Sequence, residues 1–179
     1  MPLAVTVAAL LQVLLAVTFV VIPVVGARHG PAAQRAAEND VTRQGSPAAV
    51  LTERGVDFGA SRGSIVAAVA IGVCFAVLAT LNLAGSDAGR ILTWILQPIL
   101  FLGGGLIIMP GEVFTTRYVE AAFRKAGVAD IDVKAFVNTA SAAYPPWFRS
   151  VIITRFALAT LGSILVVVLL TTPTANAYF

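Results

Sequence analysis

Four oily runs punctuate the chain: Leu3 to Val25, Ser64 to Ala84, Ile91 to Met109 and Val151 to Thr172. A transmembrane helix needs about 20 apolar residues to cross roughly 30 Å of hydrocarbon, and each run has that length. Three carry no charge, and the fourth contains only Arg155. The pattern predicts an all-α integral membrane protein: four transmembrane helices in one membrane domain spanning residues 1–179.

The polar intervals are unequal. GSDAGR, between the second and third runs, is short enough to force an antiparallel hairpin. The other two, residues 26–63 and 110–150, are long loops with helical patterning of their own. In the first, Pro31 and Pro47 stand where prolines start helices, and Gly45 and Gly55 where glycines end them. Two short helices are expected there, too rich in alanine to build a core alone. In the second, Val113, Phe114, Tyr118, Ala121, Ala122 and Phe123 form an apolar side against Arg117, Glu120, Arg124 and Lys125, as in an interfacial helix. A further helix follows, with Asp130 as its cap and Val133, Phe136, Val137 and Ala140 on one face. The neighbouring Asp132 is read the same way, as favourable charge at a helix start. Pro145 and Pro146 end that helix, and Trp147 and Phe148 anchor the start of the fourth span at headgroup level.

Composition agrees with this reading. Hydrophobic residues make up 58% of the 179 and charged residues 12%, against about half and a quarter in soluble domains; mean hydropathy is +0.89. The first run lacks the basic flank and cleavage site of a signal peptide and is expected to be retained. Ten of the twelve Lys and Arg lie in the two long loops or at their edges. Because cytoplasmic loops collect basic residues, both loops are expected inside and both termini outside a plasma membrane. The excess of arginine over lysine, with abundant alanine, valine and glycine, fits a GC-rich bacterial genome.

Candidate chemistry is sparse. Cys74 is the only cysteine and His29 the only histidine, so a zinc centre or a bis-histidine haem within one chain lacks its ligands. Nucleophilic, phosphoryl-transfer and dinucleotide motifs are missing as well, and no cofactor, metal or catalytic residue is expected. What remains is packing chemistry. Ser64, Ala68, Gly72, Ala76, Thr80 and Ala84 recur every four residues, a small-residue seam that lets another helix approach closely. The simpler occupant is a helix of the same chain, with the third span supplied by the hairpin; the other is a second subunit. Gln12 and Gln97 are amides in apolar surroundings that need partners, in each other or in a neighbouring chain. Arg155 lies near the depth of Glu112 and is placed to pair with it or to snorkel.

The stretch LQPILFLGGGLIIMPGE contains Pro98 and the triplet Gly103, Gly104 and Gly105 inside the third run. A bend around Trp94 and close packing of the glycines are expected, with Pro110 and Gly111 ending the span. These features favour a non-catalytic accessory or assembly subunit of a larger bacterial plasma-membrane complex. The layout is compatible with accessory subunits of respiratory oxidase supercomplexes. Its expected partners are other integral membrane subunits and phospholipid, with no nucleic acid. The alternative is a small transporter or channel lined by the broken third span.

Overall fold

The computed structural model of the chain describes residues 1–127 and 130–179. It is built of helices, four of them long and apolar enough to cross a membrane: Leu3–Arg43, Arg62–Leu83, Asp87–Val113 and Phe148–Leu170. The first is α1 and the second α3, with the short α2 (Ala49–Glu53) between them. The third span consists of α4 (Asp87–Ile99), a π-helical segment Leu100–Ile108, and α5 (Met109–Val113). α6 (Thr115–Lys125) and α7 (Val133–Ser141) follow. The fourth span is α8 (Phe148–Ala157), a shorter π-helical segment Leu158–Gly162, and α9 (Ser163–Leu170), with α10 (Pro173–Asn176) behind it.

The first loop departs from expectation at Pro31, which starts no helix. α1 runs unbroken through Pro23 and Pro31 to Arg43. An interior proline costs about 3 kcal/mol, but the extension buries Ala33, Ala37 and Val41 completely against other helices. Tertiary packing outweighs the local break. Gly45 and Gly55 do end α1 and α2, with φ of 85° and 66°, a backbone region that glycine enters without a Cβ penalty.

α1 is therefore the common wall of two separate cores. In the four-span bundle it packs on α3, α8 and α9, where Leu15, Ala16 and Phe19 meet Phe75, Leu78, Leu100, Met109 and Ala159. Nearer the termini, Val5 and Ala8 meet Val166, Leu170 and Ala175. At the opposite, loop end, its extension joins Val50, Leu51, Phe123, Ile131, Val133, Phe136, Val137 and Ala140. Neither loop supplies that core alone; α1 makes it by presenting one face to both.

Polar contacts tie this loop-end lobe together. The amide of Gln44 brackets the Asp132 backbone, accepting from its N–H at 2.6 Å and donating to its carbonyl at 3.3 Å. Asp132, not Asp130, caps α7, accepting from the Ala135 N–H at 3.0 Å. The Val133, Phe136, Val137 and Ala140 face of α7 is buried as patterned. α6 turns differently from its pattern: Phe123 enters the core with Val119 beside it, while Phe114 and Tyr118 are exposed. The break between the third span and α6 falls at Phe114, beyond Pro110 and Gly111.

The segment before α3 lies flat across α1. A Cβ on Gly30 would stand 2.6 Å from the Gly59 Cα, closer than any side chain tolerates. Tyr144 donates its hydroxyl to the Phe58 carbonyl and stacks on Phe148 with ring centroids 4.7 Å apart. Burial, and secondarily the nearby Asp57 carboxylate, raise the Tyr144 pKa above the ordinary phenol value of 10. Because the folded state holds that proton more tightly, the stabilisation is complete below pH 10 and fades as pH climbs through the higher folded value.

Two outcomes follow. Gly30→Ala should lift residues 56–60 off α1 and speed tryptic cleavage at Arg54, whereas Gly63→Ala, whose Cβ would meet nothing nearer than 3.9 Å, should leave the rate unchanged. Tyr144→Phe should cost about 1 kcal/mol at neutral pH and reduce the loss of stability above pH 10, as read by thermal unfolding across an alkaline series.

Candidate functional site

The polar residues embedded among the four spans form two sites at different depths. Toward the termini, the hairpin of α3 and α4 is drawn tight at Gly89, where a Cβ would stand 2.6 Å from Leu81 Cβ and 3.0 Å from the Leu81 carbonyl carbon. This approach brings Asn82 and Thr93 together, and α1 adds Gln12. Gln12 Nε2 donates to Thr93 Oγ1 at 3.2 Å, and Asn82 Nδ2 donates to Gln12 Oε1 at 3.0 Å and to Thr93 Oγ1 at 2.9 Å. Thr93 passes its own proton to the Gly89 carbonyl at 2.8 Å. All three side chains are fully buried.

Gln97, read from the sequence as a possible partner of Gln12, is not in this network, although it is also buried. It sits one turn further along α4 on the Thr93 face, and its Oε1 has no partner. Asn82 and Thr93 drew no attention in the sequence because they flank the short hairpin loop, where asparagine and threonine are unremarkable. The signal that would have found them is Gly89, whose missing side chain lets the two helices close on each other.

The second site lies toward the loop end. Arg155 is 6% exposed and forms an ion pair with Glu112, which is 39% exposed; the guanidinium also lies 5.4 Å from the Phe19 ring centroid. The side chain is thus enclosed between spans one, three and four instead of snorkelling out. Removing Glu112 would leave the enclosed Arg155 without its counter-charge, which is costly. Next to it the two π-helical segments face each other. A Cβ on Gly105 would lie 2.9 Å from Thr160 Cγ2 and 3.3 Å from the Ala159 carbonyl. Gly103 has nothing within 4 Å, and Gly104 meets Leu100 and Met109 of its own span. Only one glycine of the triplet therefore makes an interhelical approach. Pro98 is exposed, and the stretch from Leu100 to Ile108 is π-helical.

The small-residue seam of α3 is used over only part of its length, and by α1 instead of the third span. At Gly72 a Cβ would stand 3.0 Å from the Ala16 carbonyl, and Ala68 packs beside it. Ser64, Ala76, Thr80 and Ala84 are exposed. Helical geometry explains this: a step of four residues advances about 40° past a full turn, so the stripe winds around the helix and leaves α1 after one contact.

At the termini, Arg90 donates to Asn176 Oδ1 at 2.9 Å and sits about 5 Å from the Trp94 and Phe179 rings, while Tyr178 donates to the Leu83 carbonyl at 2.7 Å. His29 Nδ1 lies 3.2 Å from the Ala143 carbonyl. Among the described residues no three of His, Cys, Asp and Glu converge to hold a metal. Compared with family models, curated proteins and solved structures, the chain matches none.

Replacing Thr93 by Val strands two amide groups in the interior and should cost about 1–3 kcal/mol. Thr80→Val, at an exposed hydroxyl that donates only to its own helix at Ala76, should cost far less; unfolding in detergent measures both.

Proposed function

We propose that the chain is a non-catalytic accessory or assembly subunit of a larger bacterial plasma-membrane complex, with the respiratory chain the compatible setting. The observation that carries this reading is the uncovered face of α3. While Phe75, Leu78 and Asn82 stay packed in the bundle, Ala76, Thr80 and Ala84 are exposed on the side of the helix turned away from it. Small residues there offer a second transmembrane helix the backbone proximity that drives association in lipid. Flanking Val73 and Val77 are exposed as well, which gives such a partner apolar edges to pack against.

The embedded polar groups support the same reading. The Thr93 network and the Glu112–Arg155 pair each engage residues of this chain, as polar groups that hold helices in register do. Gly105 is closed against span four, and a Cβ on Gly103 would meet nothing within 4 Å, an arrangement that supports close packing over a transport path. With the arginine-rich loops inside the cell, the lobe around the α1 extension lies at the cytoplasmic face, where soluble parts of a complex are accessible.

Purification in mild detergent at native expression should recover defined membrane partners together with this chain. Ala76→Leu combined with Thr80→Leu should lower their recovery by roughly tenfold, the effect of about 1.4 kcal/mol of lost association energy, with the unfolding temperature of the isolated chain unchanged. A homogeneous protein without partners, before and after the substitutions, would sink the proposal.

A further inference from the structure

The Thr93 network fixes the orientation of its own amides and leaves one atom over. Thr93 gives its only proton to the Gly89 carbonyl, so its oxygen can only accept. Both Gln12 and Asn82 must therefore turn their NH2 groups toward it, and Gln12 Oε1 takes the second Asn82 proton. Reversing either amide would set a carbonyl oxygen against the Thr93 oxygen. Asn82 Oδ1 is thus an acceptor by necessity, and it is buried without a donor.

Two further side-chain oxygens share this condition, while Arg90 Nε, Trp94 Nε1 and Arg155 Nε are nitrogen donors buried without an acceptor. Gln97 Oε1, one turn along the same face of α4, has no partner, and neither has Ser163 Oγ on α9, which packs on both α1 and α4. Thr18, Thr93 and Thr160 return their hydroxyl protons to their own helix backbones; Ser163 does not. On α1, Gln12 falls between Ala8 of one apolar cluster and Leu15 of the other, and on span four Ser163 falls between Val166 and Ala159 of the same two clusters. The polar residues therefore occupy a layer between two apolar ones.

Exposure of Asn82, Gln97 and Ser163 is 0%, 1% and 2%. A lipid or a partner chain cannot reach atoms so enclosed, which limits the ligand to a very small molecule. Two amide oxygens ask for donors, so an anion does not fit. The acidic residues of the spans are the exposed Asp87 at the hairpin and Glu38, Asp40 and Glu112 toward the loop end, so a cation here would lie uncompensated in a low-dielectric interior. Water supplies two protons and accepts in return, and buried waters typically make about three hydrogen bonds.

We propose that the bundle holds internal water between its two apolar layers, bound by Asn82 Oδ1 and Gln97 Oε1 and accepting from Ser163. Gln97→Met decides the point through the sign of its effect. If the oxygen faced a dry interior, replacing it by an apolar group of similar size would stabilise the fold. A hydrated oxygen predicts the opposite, a fall in unfolding temperature of roughly 2–4 °C. Water-edited solid-state NMR of the native chain in proteoliposomes gives an independent readout: magnetisation should pass from water to the Asn82 and Gln97 side-chain amides. An unchanged or raised unfolding temperature, or no transfer to those amides, overturns the proposal. So does an unfolding temperature that rises when sodium or potassium replaces choline, which would assign the site to a cation.

Discussion

The Thr93 hydroxyl is the fixed point of the bundle. It gives its proton to the Gly89 carbonyl and receives one each from Gln12 and Asn82, so one oxygen joins spans one, two and three. In hydrocarbon the apolar surfaces of helices gain little by meeting one another, and packing with a few directed hydrogen bonds sets their register. Sliding α1 by a single residue would rotate Gln12 about 100° away from Thr93. The same register sets Ala16 against Gly72 and Phe19 beneath Arg155, so the apolar contacts follow from the polar one.

The α1 helix carries that register out of the apolar bundle. Its 41 residues form the wall of the bundle and then of the loop-end lobe, and a continuous helix leaves little freedom between them. Gly26 and Gly30 mark the crossing point, where the segment before α3 lies against the helix with Ala60 and Gly59 in contact range. The two prolines in α1 each forgo one backbone hydrogen bond, yet neither interrupts the helix, because the faces beyond them are buried.

Much of this architecture was legible in the sequence and some was not, for identifiable reasons. The four spans followed from run length, the GSDAGR hairpin from its brevity, the α7 face from its period, and the ends of α1 and α2 from Gly45 and Gly55. Pro31 misled because a local breaking tendency was weighed without the burial of Ala33, Ala37 and Val41, which is a tertiary fact. On α6, Phe123 turns inward as its pattern suggests, but the buried stripe is rotated toward Val119 and leaves Phe114 and Tyr118 exposed, a shift that only packing reveals. Of the embedded polar residues, Gln12, Gln97 and Arg155 stood out by being alone in oily runs. Asn82 and Thr93 did not, since their importance arises from Gly89 closing two helices together. The π-helical segments left no mark beyond Pro98 and the glycines, and the one in span four had only Gly162.

The Gln44–Asp132 bracket joins residues 88 positions apart, and this bears on the order of biosynthesis. The first loop leaves the ribosome long before α7, its main packing partner, exists. While spans two and three are being inserted, Ala33, Ala37, Val41 and Leu51 have no core to enter. The lobe can close only after the chain has been made past Ala140, when three of the four spans are already in place. During that interval the nascent chain exposes an apolar helix face next to the membrane surface, which makes this the stage at which a chaperone or an already assembled neighbour has most to bind.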